Sequence, residues 1–345
     1  MDMVFRKTDL DALEAPPAVA AVRRIGDGFK AFQALRAAYG AGLFDWLQRN
    51  GPAPKADISA ALDLRGAHLG AFLQTLEDLG LLARQGLAYT LAPGMDAVLC
   101  ASSPWCQARV MHGLTLPECG WSDLQLFLSE TWKPAASTMP QPLATHPFLD
   151  EARGLAAHLA TRSAWSGDPA AARTLLCFDG SGGLLAAALC QRHPGLRATV
   201  VVAPEAQRQA EEAIAACGVS SRCRIATGTP LDAPAGEAFD HVVLFHALYP
   251  VRKVTTDALR AAAGCLAPGG ELSCAHWFCL EDCETAPGGL RDLDKAVLTD
   301  SHPLCHVEQF CQRLEGIGLV DAERADLAGN YGNTKLHFAR RPGAR

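Results

Sequence analysis

The sequence has little of what marks a membrane protein or a nucleic-acid-binding protein. None of its apolar runs approaches the roughly 20 residues that a membrane-spanning helix needs. Basic residues are outnumbered, with 31 Lys and Arg against 37 Asp and Glu, and the net charge of −6 disfavours binding to nucleic acids or anionic membranes. The first residues lack a basic segment followed by an apolar core, so we expect no signal peptide and a cytoplasmic location.

Cysteine, in contrast, is abundant. The 345 residues include 13 cysteines, an odd number spread through a long chain, which is typical of reduced thiols rather than of a disulfide framework. Six of them lie between Cys265 and Cys311, close in sequence to His276, His302 and His306. Thiolates and imidazoles at short spacing could bind zinc, copper or iron. The spacings match no standard metal motif, however, and cysteine is a common buried hydrophobe, so we predict no metal site.

The N-terminal part has the pattern of a small helical domain. Apolar residues recur at helical spacing between Ile25 and Leu47, and shorter helices are predicted over residues 57–62 and 67–79. Residues 81–91 have the pattern of a hairpin that turns at Gln85-Gly86. Helices followed by a hairpin form a winged-helix pattern, which often reads DNA. The helix before the hairpin offers few basic residues, so a structural or dimer-forming role is favoured over that of a transcription regulator.

The C-terminal part alternates buried strands with helices. Its central unit, residues 174–204, has an apolar strand, the glycine turn Gly180-Ser181-Gly182-Gly183, a helix and a second buried strand. Such a turn lets the backbone approach a nucleotide-like ligand, although an ordinary strand–helix turn has the same composition. The further strands are predicted over residues 223–226, 240–245, 271–276 and 332–339, and the further helices over residues 205–216, 256–266 and 307–314. This alternation predicts an α/β fold with a doubly wound parallel sheet.

In this order, the elements and their motifs resemble the small-molecule O-methyltransferases that use S-adenosylmethionine (SAM), of the caffeic-acid, hydroxyindole and polyketide-tailoring type. The matching segments are residues 41–45, 79–82, 183–204 and 266–270, and the resemblance covers nearly the whole chain. It implies an α-helical winged-helix dimerisation domain over residues 1–105. A Rossmann-like class I methyltransferase domain over residues 106–345, with a helical substrate-binding segment, would follow. It also implies a homodimer, SAM as the cofactor and a small aromatic or hydrophobic molecule as the substrate.

The positions that hold SAM in the family carry different residues here. The first two glycines of the family's loop fall on Phe178 and Asp179, and the acid near the adenine falls on Thr229. The acid that grips the ribose falls on Val202, so a ribose there would lose charge-assisted hydrogen bonds worth ~1.5–3 kcal/mol. Asp179 could supply a displaced carboxylate. The resemblance assigns the cofactor site to Asp179, Gly180, Ser181, Gly182, Val202 and Thr229, and the departures predict weak or no SAM binding.

The catalytic positions have changed as well. The family's general-base His and the Asp that follows it fall on Tyr249 and Pro250, and the acid that orients the His falls on His276. A Tyr of ordinary pKa, about 10, is a poor base at neutral pH, whereas a His is well matched. Tyr249 and His276 could form a new acid/base pair, or both could fill a site that has lost its chemistry. We interpret His246 as a structural histidine.

These observations leave two classes of function open. One is an enzyme of the methyltransferase family that acts on a small molecule with a rebuilt site. Such an enzyme would use SAM in an altered pose or carry out acid/base chemistry without methyl transfer. The alternative is a non-catalytic binding or scaffold dimer, a pseudo-methyltransferase. The family's activity class is favoured, since most chains with this architecture are methyltransferases. Function depends on the site rather than on the fold, so the contacts of these residues decide between the two.

Overall fold

The computed structural model describes residue 10 and residues 13–129, 131–132, 142–234, 236–279 and 288–343. The chain divides into two compact units, Met1–Gly113 and Leu114–Arg345. The sequence prediction places the domain boundary after Trp105, eight residues earlier. Within the described part, we find no helix that is both long and apolar enough to cross a membrane.

The first unit combines helices with a small antiparallel sheet. Its helices are α1 (Val19–Gly40), α2 (Leu43–Asn50), α3 (Lys55–Leu62), α4 (Gly66–Asp78), α5 (Asp96–Leu99) and α6 (Ala108–Gly113), and its strands are β1 (Ala53–Pro54), β2 (Leu82–Gln85) and β3 (Ala88–Leu91). The sheet order is β1-β3-β2. Leu43, Phe44 and Leu47 of α2 are buried in its core with Ile58 and Leu73. The hairpin predicted at Gln85-Gly86 is present as β2 and β3, and the winged-helix and dimerisation assignments stay predictions.

The second unit contains a seven-stranded sheet. Its strands are β4 (Arg173–Asp179), β5 (Leu196–Val202), β6 (Cys223–Thr227), β7 (Phe239–Phe245), β8 (Leu266–His276), β9 (Val320–Gly329) and β10 (Gly332–Arg340), in the order β6-β5-β4-β7-β8-β10-β9. Strands β4 to β8 pair in parallel, whereas β10 is antiparallel to both β8 and β9. Val242, Val243 and Leu244 of β7 are fully buried, as expected for a central parallel strand. The predicted α/β doubly wound sheet is confirmed.

Helices connect these strands. They are α7 (Leu124–Phe127), α8 (Leu149–Ala160), α9 (Leu184–Arg192), α10 (Gln207–Ala216), α11 (Thr255–Gly264), α12 (Gly289–Thr299) and α13 (Phe310–Gly316). Parallel strands need such crossover connections, and α9 supplies the one between β4 and β5. The carboxyl ends of the parallel strands therefore lie at one edge of the sheet, where ligands bind in this architecture.

Three features differ from the sequence prediction. Helix α12 and strand β9 are absent from the sequence prediction. Strand β9 gives no local signal, because it is an edge strand whose residues are largely exposed and show no apolar run. Its strand conformation comes from pairing with β10, from Gly329 opposite Gly332 to Val320 opposite Arg340. Strand β8 begins at Leu266 rather than at Glu271, so residues 267–270, which separate the predicted helix from the predicted strand, lie inside the strand, next to a register shift against β7.

Candidate functional site

The glycine turn after β4 is held against the end of β7. Gly182 and Gly183 have φ values of +64° and +91°, a left-handed backbone that favours glycine. A Cβ on Gly180 would lie 2.7 Å from the carbonyl oxygen of His246 and 2.8 Å from that of Phe245. The Gly180 amide donates to the Phe245 carbonyl at 2.7 Å. Glycine is therefore required at position 180 for a close backbone approach. The backbone that approaches it is the end of β7 and not a bound ligand.

Asp179, the last residue of β4, directs its carboxylate into the protein. Oδ1 accepts from the Ser181 amide at 2.9 Å and from the Ser181 hydroxyl, and Oδ2 accepts from the Ala186 amide at 3.0 Å. Burial raises the pKa of Asp179, and the hydrogen bonds from Ser181 and Ala186 offset that rise only in part. With 2% of its surface exposed, Asp179 satisfies amides at the N-terminus of α9.

Neither Val202 nor Thr229 presents a carboxylate at the sheet edge. Val202 is 2% exposed, and its carbonyl oxygen accepts from the Gly228 amide at 3.0 Å. The Thr229 amide and hydroxyl both donate to Oδ2 of Asp232 at 2.9 Å. These hydrogen bonds lower the pKa of Asp232 and form the capping box of the 3₁₀ turn Pro230–Asp232.

A hydrogen-bond network occupies the region at the carboxyl ends of β7 and β8. Glu151 Oε2 lies 2.6 Å from His246 Nε2, and His246 Nδ1 lies 2.7 Å from the Tyr249 hydroxyl oxygen. That oxygen accepts from the Trp277 amide at 2.8 Å, and Trp277 Nε1 donates to Glu151 Oε1 at 2.8 Å. The Thr334 hydroxyl donates to the same carboxylate oxygen at 2.8 Å. All five residues are buried, so the network is shielded from solvent. We call these five residues the Glu151 network.

One assignment of protons satisfies the Glu151–His246–Tyr249 chain. His246 donates from Nε2 to the ionised carboxylate of Glu151 and accepts at Nδ1 from the Tyr249 hydroxyl. Burial acts against the charge on Glu151, but the interaction with His246 and the hydrogen bonds from His246, Trp277 and Thr334 outweigh it and lower the pKa of Glu151. Burial raises the pKa of Tyr249 well above its ordinary value. The phenol therefore stays protonated and acts as a donor.

His276 has a separate set of partners. Its Nε2 accepts from the amides of Ala247 and Leu248, both at 3.1 Å. Burial lowers the pKa of His276 well below its ordinary value, so the ring is neutral. The rings of Tyr249 and His276 meet edge to face with centroids 5.6 Å apart. The structure thus places the two predicted catalytic residues side by side, but the Tyr249 hydroxyl bonds to His246 rather than to His276.

Aromatic rings pack around the Glu151 network. The ring of Phe148 lies 4.8 Å from that of His246 and stacks on Trp277 at 5.4 Å, measured between centroids. It also meets Phe245 edge to face at 6.1 Å. Phe148, Phe245 and Trp277 are all buried. The end of β7 is thereby filled with side chains.

A cavity of about 200 Å³ remains beside the glycine turn. Its lining residues are Pro142, Leu143, His146, Ser181, Gly182, Leu184, Gln209, Glu212, Ala213 and Ala216. Ser181 and Gly182 of the predicted cofactor residues line it, whereas Asp179, Gly180, Val202 and Thr229 do not. Pockets for ligands of drug size have ~300–1,000 Å³, so the cavity is small for a nucleoside with an amino-acid arm.

Within the described residues, the cysteines between Cys265 and Cys311 form no metal centre. Among the residues that the structure describes, no group of three or more His, Cys, Asp and Glu side chains is arranged to hold a metal ion. The sulfur atoms of Cys279 and Cys305 lie 3.7 Å apart, and Cys283 lies outside the described residues.

The sequence interpretation missed Glu151 and Thr334 and gave His246 only a structural role. A signal for Glu151 is present, since it shares one face of α8 with the buried residues Phe148 and Leu155, three residues before and four residues after it. An acidic residue on an apolar helix face needs a buried partner. The sequence offers no comparable signal for Thr334.

Comparison with known proteins establishes the fold. No protein-family model matches the sequence, and no curated protein matches it significantly. Solved structures match over almost the entire chain. An O-methyltransferase family protein from Burkholderia thailandensis has a TM-score of 0.75 and 21% identity, with 96% of this chain and 100% of that chain covered. PigF with SAH, the demethylated product of SAM, has a TM-score of 0.72 and 19% identity, covering 94% and 100%.

A human protein is similar as well. Human N-acetylserotonin methyltransferase in complex with SAM has a TM-score of 0.63 and 18% identity, with 95% of this chain and 100% of that chain covered. The second unit therefore has the Rossmann-like class I methyltransferase fold, as predicted. At these identities the likeness concerns the fold, and the activity depends on the residues of the site.

Proposed function

We propose that this chain is a small-molecule O-methyltransferase family protein whose catalytic position is filled by its own side chains and whose donor positions lack the family's acids, so that it does not perform standard SAM-dependent O-methylation. The observation that carries the proposal is the Glu151 network. It buries Tyr249, which stands at the family's general-base position, in hydrogen bonds to His246 and Trp277.

The residues at the cofactor positions do not fit SAM as the family would hold it. Asp179 is buried, and its carboxylate oxygens accept hydrogen bonds from Ser181 and Ala186, so it is not presented to a displaced ribose or amino group. Val202 offers neither a donor nor an acceptor side chain. Because Gly180 already lies against the carbonyl of His246, no ligand group fits between this glycine and the strand end.

Between the two classes of function, burial favours the non-catalytic one. A general acid or base must come within hydrogen-bond reach of its substrate, whereas Glu151, His246, Tyr249 and His276 are each at most 4% exposed. We therefore propose a cytoplasmic small-molecule-binding pseudo-methyltransferase, with Tyr249 and His276 as structural residues.

The proposal includes a homodimer formed through the N-terminal domain. Val22, Ile25 and Phe29 lie three and four residues apart on α1 and are 70%, 77% and 63% exposed. Residues at this spacing share one face of a helix. An apolar stripe of this kind is typical of a surface that another chain covers.

SAM-dependent methyl transfer is the second candidate. It is supported by the likeness to solved structures that contain SAM or SAH and by the left-handed Gly182 and Gly183, which preserve the shape of the turn. Thermal unfolding separates the candidates. A ligand at about 100 times its Kd stabilises the folded state by ~2.7 kcal/mol, which a Tm shift of several degrees would reveal. We expect no shift with SAM or SAH, and a clear shift would favour the transferase.

A further inference from the structure

We propose that a second cavity, bordered by Arg252 and Arg313, binds a small organic anion with a carboxylate head group and an apolar body. The cavity shares no lining residue with the one beside the glycine turn, and the proposal does not depend on whether the donor site binds SAM. It has about 280 Å³, close to the lower limit of the ~300–1,000 Å³ typical of ligand pockets.

Three segments of the second unit build this cavity. They are the 3₁₀ turn Arg252–Val254 with the start of α11, the loop before the 3₁₀ turn Val307–Gln309, and α13. The lining residues are Arg252, Thr255, His302, Pro303, Leu304, Cys305, His306, Phe310 and Arg313. Backbone hydrogen bonds fix the walls, since the Leu304 amide donates to the Trp277 carbonyl at 3.0 Å and the Cys279 amide donates to the Leu304 carbonyl at 2.8 Å.

The charge of the cavity is uncompensated among the described residues. Its lining contains two guanidinium groups and no carboxylate, and the side chains of Arg252 and Arg313 form no ion pair within the described ranges. Two carboxylates on adjoining elements are engaged elsewhere, since Asp257 pairs with Arg260 at 2.6 Å and Glu308 with Arg324 at 2.8 Å.

Two arginines at one cavity favour an oxyanion. The guanidinium group is permanently charged and presents a planar fork of donors that matches a carboxylate. The Thr255 hydroxyl already donates to the Arg252 carbonyl at 2.8 Å. That bond ties the turn carrying Arg252 to the first residue of α11.

The remaining walls select the body of the ligand. Pro303, Leu304 and Phe310 also line the cavity and contribute apolar atoms to its wall. An inorganic anion would leave this surface in contact with water, whereas an aromatic or aliphatic carboxylate would cover it. The combination of a cationic side and an apolar side therefore points to an organic anion.

Calorimetric titration with benzoate at constant ionic strength tests the proposal. Inorganic phosphate supplies a charge without an apolar body, and benzyl alcohol supplies the body without a charge. We expect benzoate to bind the wild-type protein more tightly than either compound. We also expect Arg252→Gln and Arg313→Gln each to weaken binding by about tenfold or more, because each removes a charge-assisted hydrogen bond.

The control is Lys253→Gln, which removes one positive charge from the neighbouring residue, outside the cavity lining. It should leave benzoate affinity within about twofold, because exposed charges are screened by solvent and salt. Circular dichroism checks that each variant is folded. Because Arg252 is exposed, we expect Arg252→Gln to fold, and its benzoate affinity can then be measured. Absence of benzoate binding, equal binding of benzyl alcohol or phosphate, or an equal loss with Lys253→Gln would each overturn the proposal.

Discussion

The Glu151 carboxylate oxygen Oε2 lies 2.6 Å from Nε2 of His246, and both side chains are buried. The pair joins α8 to the end of β7, and through Tyr249 and Trp277 it also reaches β8. His246 has a left-handed backbone with φ of +50°. Such a conformation costs ~1–3 kcal/mol in a residue other than glycine, and it persists because the surrounding contacts define it. The network thus fixes the strand end against which the glycine turn packs.

Replacement of Glu151 should destabilise the fold strongly. Glu151→Ala leaves His246 Nε2 without its partner and removes the acceptor used by Trp277 Nε1 and Thr334. We expect the free energy of unfolding, measured by urea denaturation, to fall by about 3–5 kcal/mol. The control is Asp150→Ala on the same helix, which removes an exposed hydrogen bond to Asn330 and should cost about 0.5 kcal/mol or less. Equal losses in the two variants would contradict a buried network.

The structural role assigned to Tyr249 predicts a stability effect for its hydroxyl. Tyr249→Phe leaves the Trp277 amide and His246 Nδ1 unpaired, so we expect a loss of ~1–3 kcal/mol in unfolding free energy. Tyr331→Phe is the matched control, because within the described residues the Tyr331 hydroxyl makes no hydrogen bond. A Tyr249→Phe variant as stable as the wild type would mean that the hydroxyl is not held as the structure shows.

Much of the fold could be predicted from the sequence, because buried parallel strands appear as short apolar runs between helices. Residues 240–245 illustrate this, since β7 spans Phe239–Phe245. Strand β9 escaped prediction because its conformation depends on pairing with β10 rather than on a local apolar pattern.

The candidate site was less predictable than the fold. The resemblance identified Tyr249 and His276 as positions of interest, and the structure places both at the end of the sheet. Their actual hydrogen-bond partners depend on contacts across long separations, since Glu151 meets His246 over 95 residues and Thr334 over 183 residues. No local pattern encodes such contacts.

Stability should fall as the pH is lowered through the range in which buried histidines titrate. Burial lowers the pKa of His241 to about 4, below the ~6.5 of an unfolded chain. The unfolded state therefore binds more protons than the folded state between these values. As the pH is lowered from ~6.5 to ~4, His241 therefore reduces the free energy of unfolding by up to about 1.36 kcal/mol per pH unit.

The variant His241→Phe tests this pH dependence. The phenyl ring can keep the stacking on Trp165, where the centroids are 3.8 Å apart, but it cannot bind a proton. Urea denaturation at several pH values should show a slope smaller by about one proton between pH ~4 and ~6.5. A slope identical to that of the wild type would show that His241 does not contribute.

The exposed stripe on α1 predicts that charge on this face disrupts the proposed dimer. We expect Phe29→Glu to convert the dimer to a monomer in light scattering coupled to size-exclusion chromatography, because a buried unpaired carboxylate is costly. Arg24→Glu also alters the charge of α1, but residue 24 does not share the helix face of residues 22, 25 and 29. This control should leave the measured molecular mass unchanged. A monomeric wild-type protein would contradict the proposed dimer.

The central claim is that this protein does not bind SAM as the family does. Its most direct test is calorimetric titration of the purified protein, freed of any co-purified nucleoside, with SAM and with SAH, using PigF as a binding control. We expect no saturable heat up to a ligand concentration of about 1 mM, which corresponds to a binding free energy weaker than about −4.1 kcal/mol. Micromolar binding of either ligand would contradict the account and would mean that other groups replace the acids absent at Val202 and Thr229.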